Sequence, residues 1–365
     1  MSGLKTDSAV TKNNPSVLFI TRSYPPVVGG MEMLSYNLTT SIGKITRTRI
    51  IANTRGKKYL PIFFVAAFFE ALSSAKQFDI IHIGDPVLSK LAWLLKKLTK
   101  KPIVIEVHGL DILYESKFYQ WYLRMFLQNA DLYICISSYV QKLLQNKFGA
   151  MKSVVVTPGV NDEFCQPSVS KKDLQPLLGF DPSDKKILLT VGRLIERKGV
   201  VWFTRHVIPK LPDNIIYIIA GRGPEQTELL SLIKDLHLEN KVYFVGGVSS
   251  ENLTQLYNSA DLFIMPNISV PNDTEGFGLV ALEASSCGTP VIASSIEGIT
   301  DAVINEKNGW LATEKNSASF VELIQKYIND KQNISDSVRQ FVLQNYNWEK
   351  IAQQYIDEFK KLINK

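Results

Sequence analysis

Residues 79–107 read DIIHIGDPVLSKLAWLLKKLTKKPIVIEV, and this stretch decides the predicted fold class. Its two ends, DIIHI at 79–83 and PIVIEV at 102–107, are short apolar runs typical of strands that are buried on both faces of a parallel sheet. Between them, residues 90–100 have the apolar spacing of a helix. A strand, a helix and a second strand in this order predict a βαβ unit.

The same alternation continues along the whole chain, in two series that are separated by a polar stretch around Pro167 and Ser168. The predicted strands of the first series are 17–21, 49–52, 79–83, 102–107, 131–137 and 154–157, and those of the second are 187–191, 215–220, 242–245, 262–265 and 291–293. Repeated βαβ units predict an α/β fold with two doubly wound domains. Such domains leave a cleft between them and gather ligands at the carboxyl ends of their strands.

The length of 365 residues fits two domains of ordinary size. The polar residues 1–15 are predicted to be a flexible tail, residues 16–162 the first domain and residues 163–345 the second. The chain then ends in a separate helix within 346–365, because residues 348–363 carry apolar side chains at helical spacing.

The composition favours a globular protein and excludes several other classes. Hydrophobic residues make up 45% of the chain and charged residues 21%, which is not the balance of a disordered protein. The net charge of +6 favours anionic partners, but no long basic run interleaved with aromatic residues indicates nucleic acid. Cys135, Cys165 and Cys287 lack the spacing of metal ligands, and the chain begins without an apolar signal segment. We therefore expect a cytoplasmic protein without a metal site.

Two segments of the first domain bear on a membrane location. Residues 60–72, LPIFFVAAFFEAL, are too short to span a bilayer and contain Glu70. Residues 91–101, LAWLLKKLTKK, combine leucines at helical spacing with a basic face, which is typical of a helix that rests on anionic lipid. A helix that packs its leucines on the sheet has the same pattern. Together with the apolar residues 62–64 and 68–69, this helix predicts a peripheral contact with the cytoplasmic membrane face.

The strongest functional signal is the stretch 275–290, EGFGLVALEASSCGTP. Its spacing predicts a loop that ends in Glu275 and a helix that opens near Phe277 and carries Glu283 about two turns later. Glycines at the start of a helix expose backbone amides to a ligand, and the helix N-terminus favours anions. A phosphate held there between two carboxylates fits a sugar nucleotide, because carboxylates accept hydrogen bonds from sugar hydroxyls. An ordinary helix with a solvated acidic end is the alternative.

A second signal follows the predicted strand 187–191. Arg193 comes directly after this strand and Lys198 lies a few residues later, next to a glycine. Two cations at a strand end are suited to clamping a diphosphate. Solvated surface cations are the alternative, and the glutamates of 275–290 make the clamp the better interpretation.

Three weaker signals complete the set. Gly29 and Gly30 open a predicted helix after the first strand, which gives a second phosphate-binding N-terminus. His108 lies just past the strand 102–107, where a catalytic and a structural role are both open. Residues 221–223, Gly-Arg-Gly, form only half of the dinucleotide fingerprint and are weak evidence for NAD.

Taken together, these stretches resemble the family 4 retaining glycosyltransferases of the GT-B fold. The matching pieces are PPVVGGME, HGLD, PGV, VGRLIERKG, AGRGP, FVGG and EGFGLVALEASSCGTPVIAS, and they extend over nearly the whole chain. The last piece is highly specific when it is joined to VGRL and KG. The resemblance implies two Rossmann-like domains that face each other across a cleft. The first would bind the acceptor and the second the nucleotide sugar, and the C-terminal helix would cross back to the first domain.

The resemblance also implies roles for individual residues. Glu275 would contact the donor sugar, Glu283 the ribose, and His108 the sugar near its reacting end. Arg193 and Lys198 would hold the diphosphate, which completes an implied catalytic set of Glu275, His108, Arg193 and Lys198. The other implied donor-binding positions are Gly29, Gly30, Gly221, Arg222, Gly247, Val248, Gly276, Phe277, Gly278, Leu279 and Val280. The implied same-face transfer retains the anomeric configuration and uses no metal or other cofactor.

The predicted reaction moves a hexose from a GDP-sugar or UDP-sugar to a lipid-linked or saccharide acceptor, in glycolipid or cell-surface polysaccharide synthesis. GDP-mannose, UDP-glucose and UDP-N-acetylglucosamine stay open as donors. The acceptor-side loops at 54–58 and 113–117 match no pattern that identifies an acceptor. A sugar-nucleotide epimerase and an inactive subunit of an assembly complex are the alternatives. An NAD-dependent dehydrogenase is a third, although its full fingerprint is missing.

Overall fold

Two separate units make up the computed structural model of the chain, which describes residues 14–364 except 28, 162–163 and 166–168. The first unit contains the chain up to Gly159 together with Asn347–Lys365, and the second is Val160–Tyr346. The first boundary therefore falls at Gly159 rather than at residue 162. The predicted tail lies almost wholly outside the described residues, as do Pro167 and Ser168 of the linker.

The first unit is built on a parallel sheet with the strand order β2-β1-β3-β4-β5-β6. Its strands are β1 (Val17–Thr21), β2 (Thr48–Ala52), β3 (Ile80–Ile83), β4 (Ile103–Val107), β5 (Leu132–Cys135) and β6 (Ser153–Val155), and the helices between them are α1 (Gly30–Gly43), α2 (Leu60–Ser74), α3 (Ser89–Thr99), α4 (Leu110–Leu113), α5 (Lys117–Phe126) and α6 (Ser138–Phe148). Every residue of β1, β3, β4 and β5 is buried. Burial of whole strands is expected of a parallel sheet with helices on both faces, and it confirms the first predicted series.

The second unit contains another parallel sheet, with the strand order β12-β11-β10-β7-β8-β9. Its strands are β7 (Lys186–Val191), β8 (Ile215–Ala220), β9 (Val242–Gly246), β10 (Leu262–Met265), β11 (Val291–Ser294) and β12 (Gly309–Ala312), and its helices are α7 (Gln175–Leu178), α8 (Val200–His206), α9 (Gln226–Asp235), α10 (Ser250–Ser259), α11 (Leu279–Ser286), α12 (Ile299–Ala302), α13 (Ser317–Tyr327) and α14 (Lys331–Asn345). The five predicted strands are confirmed. The edge strand β12 was not predicted, because its four residues start with glycine and form no long apolar run.

The last helix, α15 (Trp348–Ile363), packs within the first unit and contacts α1. One side of α15 is buried, including Tyr355 and Phe359. The Tyr355 hydroxyl donates a hydrogen bond of 3.1 Å to Glu106 on β4, and the Phe359 ring lies 6.2 Å from the His82 ring on β3. The predicted return of the C-terminal helix to the first domain is therefore confirmed.

Helix α3 does not present the leucine face that the sequence predicted for lipid. Leu91 and Leu95 are completely buried, because this side of the helix packs on the sheet. The Lys96 ammonium is paired with the Asp131 carboxylate, and the Lys97 ammonium lies 4.1 Å from the centre of the Trp93 ring. Leu91 and Leu95 therefore pack on the sheet, which was the alternative interpretation of this pattern. The prediction that the leucines of residues 91–101 face lipid is wrong for these two side chains.

Helix α2 is part of a longer apolar segment than the sequence suggested. The helical stretch Lys57–Gln77 has 21 residues and is long and apolar enough to cross a membrane by length and composition alone. Only 28% of its most apolar window is buried. Phe63, Ala67 and Ala71 anchor one side of the stretch in the first unit, so it packs along that unit with the opposite side uncovered.

Candidate active site

Most of the predicted site residues follow the carboxyl ends of strands in the second unit. Arg193 comes after β7, Arg222 after β8, Gly247 after β9 and Glu275 after β10. Because these strands are parallel, their carboxyl ends lie along one edge of the sheet. This edge is where an open α/β sheet binds its ligands. Gly29, Gly30 and His108 belong to the first unit and are described separately below.

Glu275 is the centre of a hydrogen-bonded cluster at this edge. Its Oε2 atom accepts hydrogen bonds from the Lys198 ammonium at 2.5 Å, from the Asn267 amide at 3.0 Å and from the Arg197 guanidinium. No described residue donates a hydrogen bond to Oε1 of Glu275. The carboxylate is therefore fixed through one oxygen, and the second oxygen is available to accept a hydrogen bond from a ligand.

The charge of Glu275 is stabilised by its neighbours. Burial alone raises the pKa of this carboxyl, but the charges of Lys198 and Arg197 and the hydrogen bonds from Lys198 and Asn267 outweigh burial. The net result is a pKa below the ordinary value for glutamate. Glu275 is therefore a carboxylate at neutral pH and can only accept hydrogen bonds.

We expect the contribution of Glu275 to stability to depend on pH. Because its pKa is depressed in the folded state, the stabilisation is fully present above the unfolded pKa of about 4.3 and is lost as the pH falls through the lower folded value. The melting temperature of Glu275→Gln should therefore lie below that of the parent protein at pH 7, and the gap should shrink below about pH 4. Calorimetry of both proteins across this pH range measures the difference between their melting temperatures. A gap that stays constant down to the lowest pH at which both proteins fold would contradict the ion-pair account.

Three members of the cluster were missed in the sequence. The Arg197 guanidinium joins Glu275 to Asp273, with its Nε atom 2.9 Å from Asp273 Oδ1. Asn267 follows β10, and its amide contacts Glu275 directly. In the sequence Arg197 belongs to the triplet ERK, which resembles a solvated charge run, so no signal distinguishes it from a surface arginine.

Glu297 is a further contributor that the sequence did not reveal. Its carboxylate accepts a hydrogen bond of 2.5 Å from the Glu275 backbone amide. Burial raises the pKa of Glu297, and this hydrogen bond and the nearby Arg197 charge offset only part of that rise. Its backbone has a φ of 50°, in the left-handed region that disfavours a side chain. Glu297 thus fixes the backbone of the loop that carries Glu275.

The glycines after Glu275 shape the start of α11. Gly278 has a φ of 103° and directly precedes the helix, which begins at Leu279 rather than near Phe277. The Phe277 side chain is buried in the core of the second unit. The first amides of a helix have no acceptor within the helix, so the amides of Leu279 and Val280 are available to an anion. Glu283 lies further along α11, where it accepts a hydrogen bond of 2.6 Å from the buried Tyr257 hydroxyl.

Arg193 and Lys198 occupy different environments. Lys198 is paired with Glu275, and its side chain passes over Gly192, where an added Cβ would lie 3.7 Å from Lys198 Cε. Arg193 is exposed, and no carboxylate among the described residues is within ion-pair distance of it. The predicted clamp thus has one cation that is already paired and one that is open to a ligand.

Close packing requires a glycine at position 221. Its φ is 140°, and a Cβ at this position would lie 1.8 Å from the Gly192 carbonyl oxygen. Only glycine therefore allows the loop after β8 to lie against the loop that carries Arg193. The exposed Arg222 side chain lies over Gly247, with Nε 3.0 Å from the position of an added Cβ. Val248 follows Gly247 and is half-buried.

In the first unit, Gly30 begins α1 as predicted, and Gly29 precedes it. His108 lies past the end of β4 and is only 9% exposed. Its ring Nε2 lies 2.9 Å from the Gly84 carbonyl oxygen, to which it donates, and its backbone amide donates to Asp111. The ring of His108 is therefore fixed in orientation by the fold.

A buried polar cluster surrounds His108. Burial lowers the pKa of His108, but the nearby carboxyls of Glu106 and Asp111 and the Gly84 carbonyl outweigh burial and raise it overall. The neighbouring His82 shows the opposite result, because burial and the charge of His108 lower its pKa to about 3. Of the two histidines, His108 is therefore the one whose surroundings favour the protonated form.

Among the residues that the structure describes, no group of three or more histidines, cysteines, aspartates and glutamates is placed to hold a metal ion. The three cysteines are free thiols, of which Cys135 and Cys287 are buried.

Two family models match the chain, one in each half. The model described as Glycosyltransferase Family 4 matches residues 11–164, and the model described as Glycosyl transferases group 1 matches residues 179–348. Together they extend over most of the chain, including the loops that contain His108, Arg193 and Glu275. The predicted resemblance is confirmed.

Individual proteins agree with this result. An uncharacterized glycosyltransferase of Methanocaldococcus jannaschii is 28% identical over 327 residues, which is 82% of each chain. The GDP-mannose-dependent alpha-(1-6)-phosphatidylinositol monomannoside mannosyltransferase of Mycolicibacterium smegmatis is 25% identical over 369 residues, 91% of this chain and 95% of its own. Among solved structures, HepE of Anabaena in complex with UDP has a TM-score of 0.76 and 21% identity, and the match covers 95% of this chain and 100% of that one. The chain therefore belongs to the family 4 glycosyltransferases and has the GT-B fold.

Proposed function

We propose that the protein is a retaining hexosyltransferase that moves mannose, glucose or N-acetylglucosamine from a GDP-sugar or UDP-sugar to a lipid-linked or saccharide acceptor, without a metal. The observation that carries the proposal is the cluster around Glu275. One carboxylate oxygen is fixed by three donors, and the other is available to a hydroxyl group of the donor sugar. The open Arg193 and the first amides of α11 supply contacts for a diphosphate at the same sheet edge.

The proposed reaction uses these groups in one step. The bond between the anomeric carbon and the diphosphate oxygen breaks, and a bond to the acceptor oxygen forms on the same face of the sugar. The acceptor proton passes to an oxygen of the leaving diphosphate. Arg193 and Lys198 stabilise the charge that grows on the diphosphate, and Glu275 holds the sugar through its hydroxyl groups.

The acceptor belongs, in this proposal, to glycolipid or cell-surface polysaccharide synthesis. The name of the Mycolicibacterium smegmatis relative gives a phosphatidylinositol monomannoside as its acceptor, which supports a lipid-linked acceptor here. The first unit contains a cavity of about 420 Å³ whose lining is mixed, with the polar residues Asn53, Thr54 and Arg55 beside apolar and aromatic side chains. We assign the acceptor to this cavity. The proposed location is the cytoplasm, at the inner face of the membrane, and the sparse, unpaired cysteines suit a reducing compartment.

A panel of nucleotides tests the donor assignment. We expect GDP or UDP to raise the melting temperature of the protein more than ADP does, because a ligand that binds only the folded state stabilises it by mass action. The sugar conjugates of the stabilising base then identify the donor. If no nucleoside diphosphate raises the melting temperature at millimolar concentration, the proposed donor site is wrong.

The stereochemistry of the product tests the reaction. We expect the first-formed product to keep the anomeric configuration of the donor, because same-face transfer does not invert that centre. Proton NMR of the product immediately after the reaction measures it. An inverted linkage would refute the proposed step, and a change in the donor without any acceptor would favour an epimerase instead.

A further inference from the structure

Helix α2 carries apolar side chains on both of its sides. Phe63, Ala67 and Ala71 are buried in the first unit. On the other side, Ile62 and Phe69 are each 64% exposed. Val65 and Leu72 are also exposed, and the four side chains recur at intervals of three or four residues on one face. The outer face of a helix in a globular protein is ordinarily polar, so this one lacks its expected cover of charged side chains.

Helix α5 repeats this arrangement. Phe118, Trp121 and Met125 recur at intervals of three and four residues, and they are 72%, 51% and 49% exposed. Tyr114, just before the helix, is 68% exposed. Of the sixteen large apolar side chains that are exposed among the described residues, nine lie on α2, on α5 or directly before them. Such a concentration differs from the scattered apolar residues of an ordinary surface and indicates a contact area.

The two helices meet at an apolar groove of about 320 Å³. Leu60 and Phe64 of α2 line one side of the groove, and Phe118, Tyr119 and Tyr122 line the other. The Tyr119 hydroxyl donates to the Asp111 carbonyl oxygen, and the Tyr122 hydroxyl donates to the Val87 carbonyl oxygen. Both hydroxyls are therefore satisfied within the protein, and the groove presents hydrocarbon to whatever covers it.

Basic residues border this apolar area. Lys57 and Lys58 are exposed directly before α2, with Arg55 beside them, and Lys117 and Arg124 are exposed on α5. The one acidic residue within α2, Glu70, is already paired with Arg49 at 2.8 Å. The border of the area is thus positive, because Glu115 is the one acidic residue besides Glu70 in 55–74 and 114–126.

We propose that this surface docks on an anionic lipid bilayer. We define the lipid-docking face as the seven exposed apolar side chains on α2 and α5, which are Ile62, Val65, Phe69, Leu72, Phe118, Trp121 and Met125. Apolar side chains enter the interfacial region while the basic border attracts anionic headgroups. A second copy of the chain is a poorer occupant, because a symmetric contact would bring the two basic borders together.

The face also lies beside the cavity assigned to the acceptor, since Tyr59, Ile62 and Phe63 line that cavity as well. Docking would bring the cavity to the level of the lipid headgroups, where a lipid-linked acceptor presents its polar end. This consequence rests on the proposed function. The docking itself does not, because it follows from the surface alone.

Co-sedimentation of the full-length protein with vesicles tests the docking. We expect binding to vesicles of phosphatidylcholine with phosphatidylglycerol at low salt, and much weaker binding to phosphatidylcholine alone or at high salt. We expect two double variants to bind more weakly, one with Ile62→Ser and Phe69→Ser and the other with Lys57→Glu and Lys58→Glu. Each should lower the partition coefficient onto anionic vesicles by at least about tenfold. Trp121 fluorescence should shift to shorter wavelength on binding, and Trp121→Phe should remove this shift.

Matched variants elsewhere serve as controls. Leu230→Ser with Leu236→Ser changes exposed apolar residues of the second unit, and Lys234→Glu with Lys307→Glu reverses two exposed charges there. We expect both to bind vesicles like the parent protein, and all variants to keep the parent melting temperature.

No binding by the parent to anionic vesicles at low salt would overturn the proposal, and so would unchanged binding by the α2 variants. A dimer in lipid-free solution that these variants dissociate would overturn it as well. Because vesicle binding is measured without donor, its outcome is independent of whether the proposed transfer is correct.

Discussion

Replacing Glu275 with alanine should lower kcat/KM for sugar transfer by roughly 100-fold or more, because the variant loses a charge-assisted hydrogen bond at the reacting sugar. The loss should appear in kcat as well as in KM, since the contact is made at the reacting end of the donor. Transfer of radiolabelled sugar to the acceptor measures both. The melting temperature should also fall, because Arg197 and Lys198 lose the carboxylate that they share. Assays are therefore run well below the melting temperature of the variant.

The control for this variant is Asp273→Asn. Asp273 lies two residues before Glu275 and is paired with the same arginine, at 2.9 Å, so its substitution also removes a negative charge from the cluster. Asp273 is 39% exposed and is hydrogen-bonded to Arg197, whereas Lys198 and Asn267 donate to Glu275 instead. We expect Asp273→Asn to keep activity within a few-fold of the parent. Equal activities of Glu275→Ala and the parent would remove Glu275 from the site.

Arg193→Ala should weaken binding of the nucleoside diphosphate by roughly 10- to 150-fold, the equivalent of one hydrogen bond to a charged group. Affinity for the matching nucleoside monophosphate should change less, because a monophosphate lacks the terminal phosphate that the clamp holds. Since Arg193 is exposed and has no carboxylate partner among the described residues, its removal should leave the melting temperature unchanged. Isothermal titration with both nucleotides measures the difference.

Lys198→Ala provides the comparison. Lys198 is paired with Glu275, so its loss should weaken diphosphate binding and also lower the melting temperature. We thus expect both substitutions to weaken diphosphate binding, but only Lys198→Ala to lower the melting temperature. Equal losses for monophosphate and diphosphate in both variants would contradict the clamp, and so would no loss in either.

The strands were the easiest feature to predict, because eleven of the twelve are apolar runs that stand out against their surroundings. The exception, β12, lies at the edge of its sheet, starts with glycine and forms no long apolar run. The direction in which a helix faces was harder to predict. The sequence of α3 shows an apolar side but not that the sheet covers it, and the sequence of α2 is apolar all round. Which side of α2 stays uncovered depends on where the sheet lies, and that is tertiary information.

The residues of the candidate site also differ in whether the sequence alone could identify them. Glu275, Lys198 and Arg193 could be identified because each occurs in a motif with glycines at a strand or helix end. The pairing of Lys198 with Glu275 joins residues 77 positions apart and could not be deduced from local spacing. Arg197 and Glu297 have no local signature, since each resembles an ordinary solvated charge until the fold places it beside Glu275.

The position of α15 has a consequence for biosynthesis. The first unit is assembled from both ends of the chain, whereas the second is one continuous segment. During synthesis the second unit can fold as soon as it leaves the ribosome, but the first must wait for α15, whose Tyr355 and Phe359 cover Glu106 and His82. A ribosome that stalls before codon 348 would therefore release a chain whose N-terminal unit is incomplete, and such chains are natural targets for chaperones and proteases. Emergence of α15, rather than emergence of the first sheet, sets the moment at which the N-terminal unit becomes native.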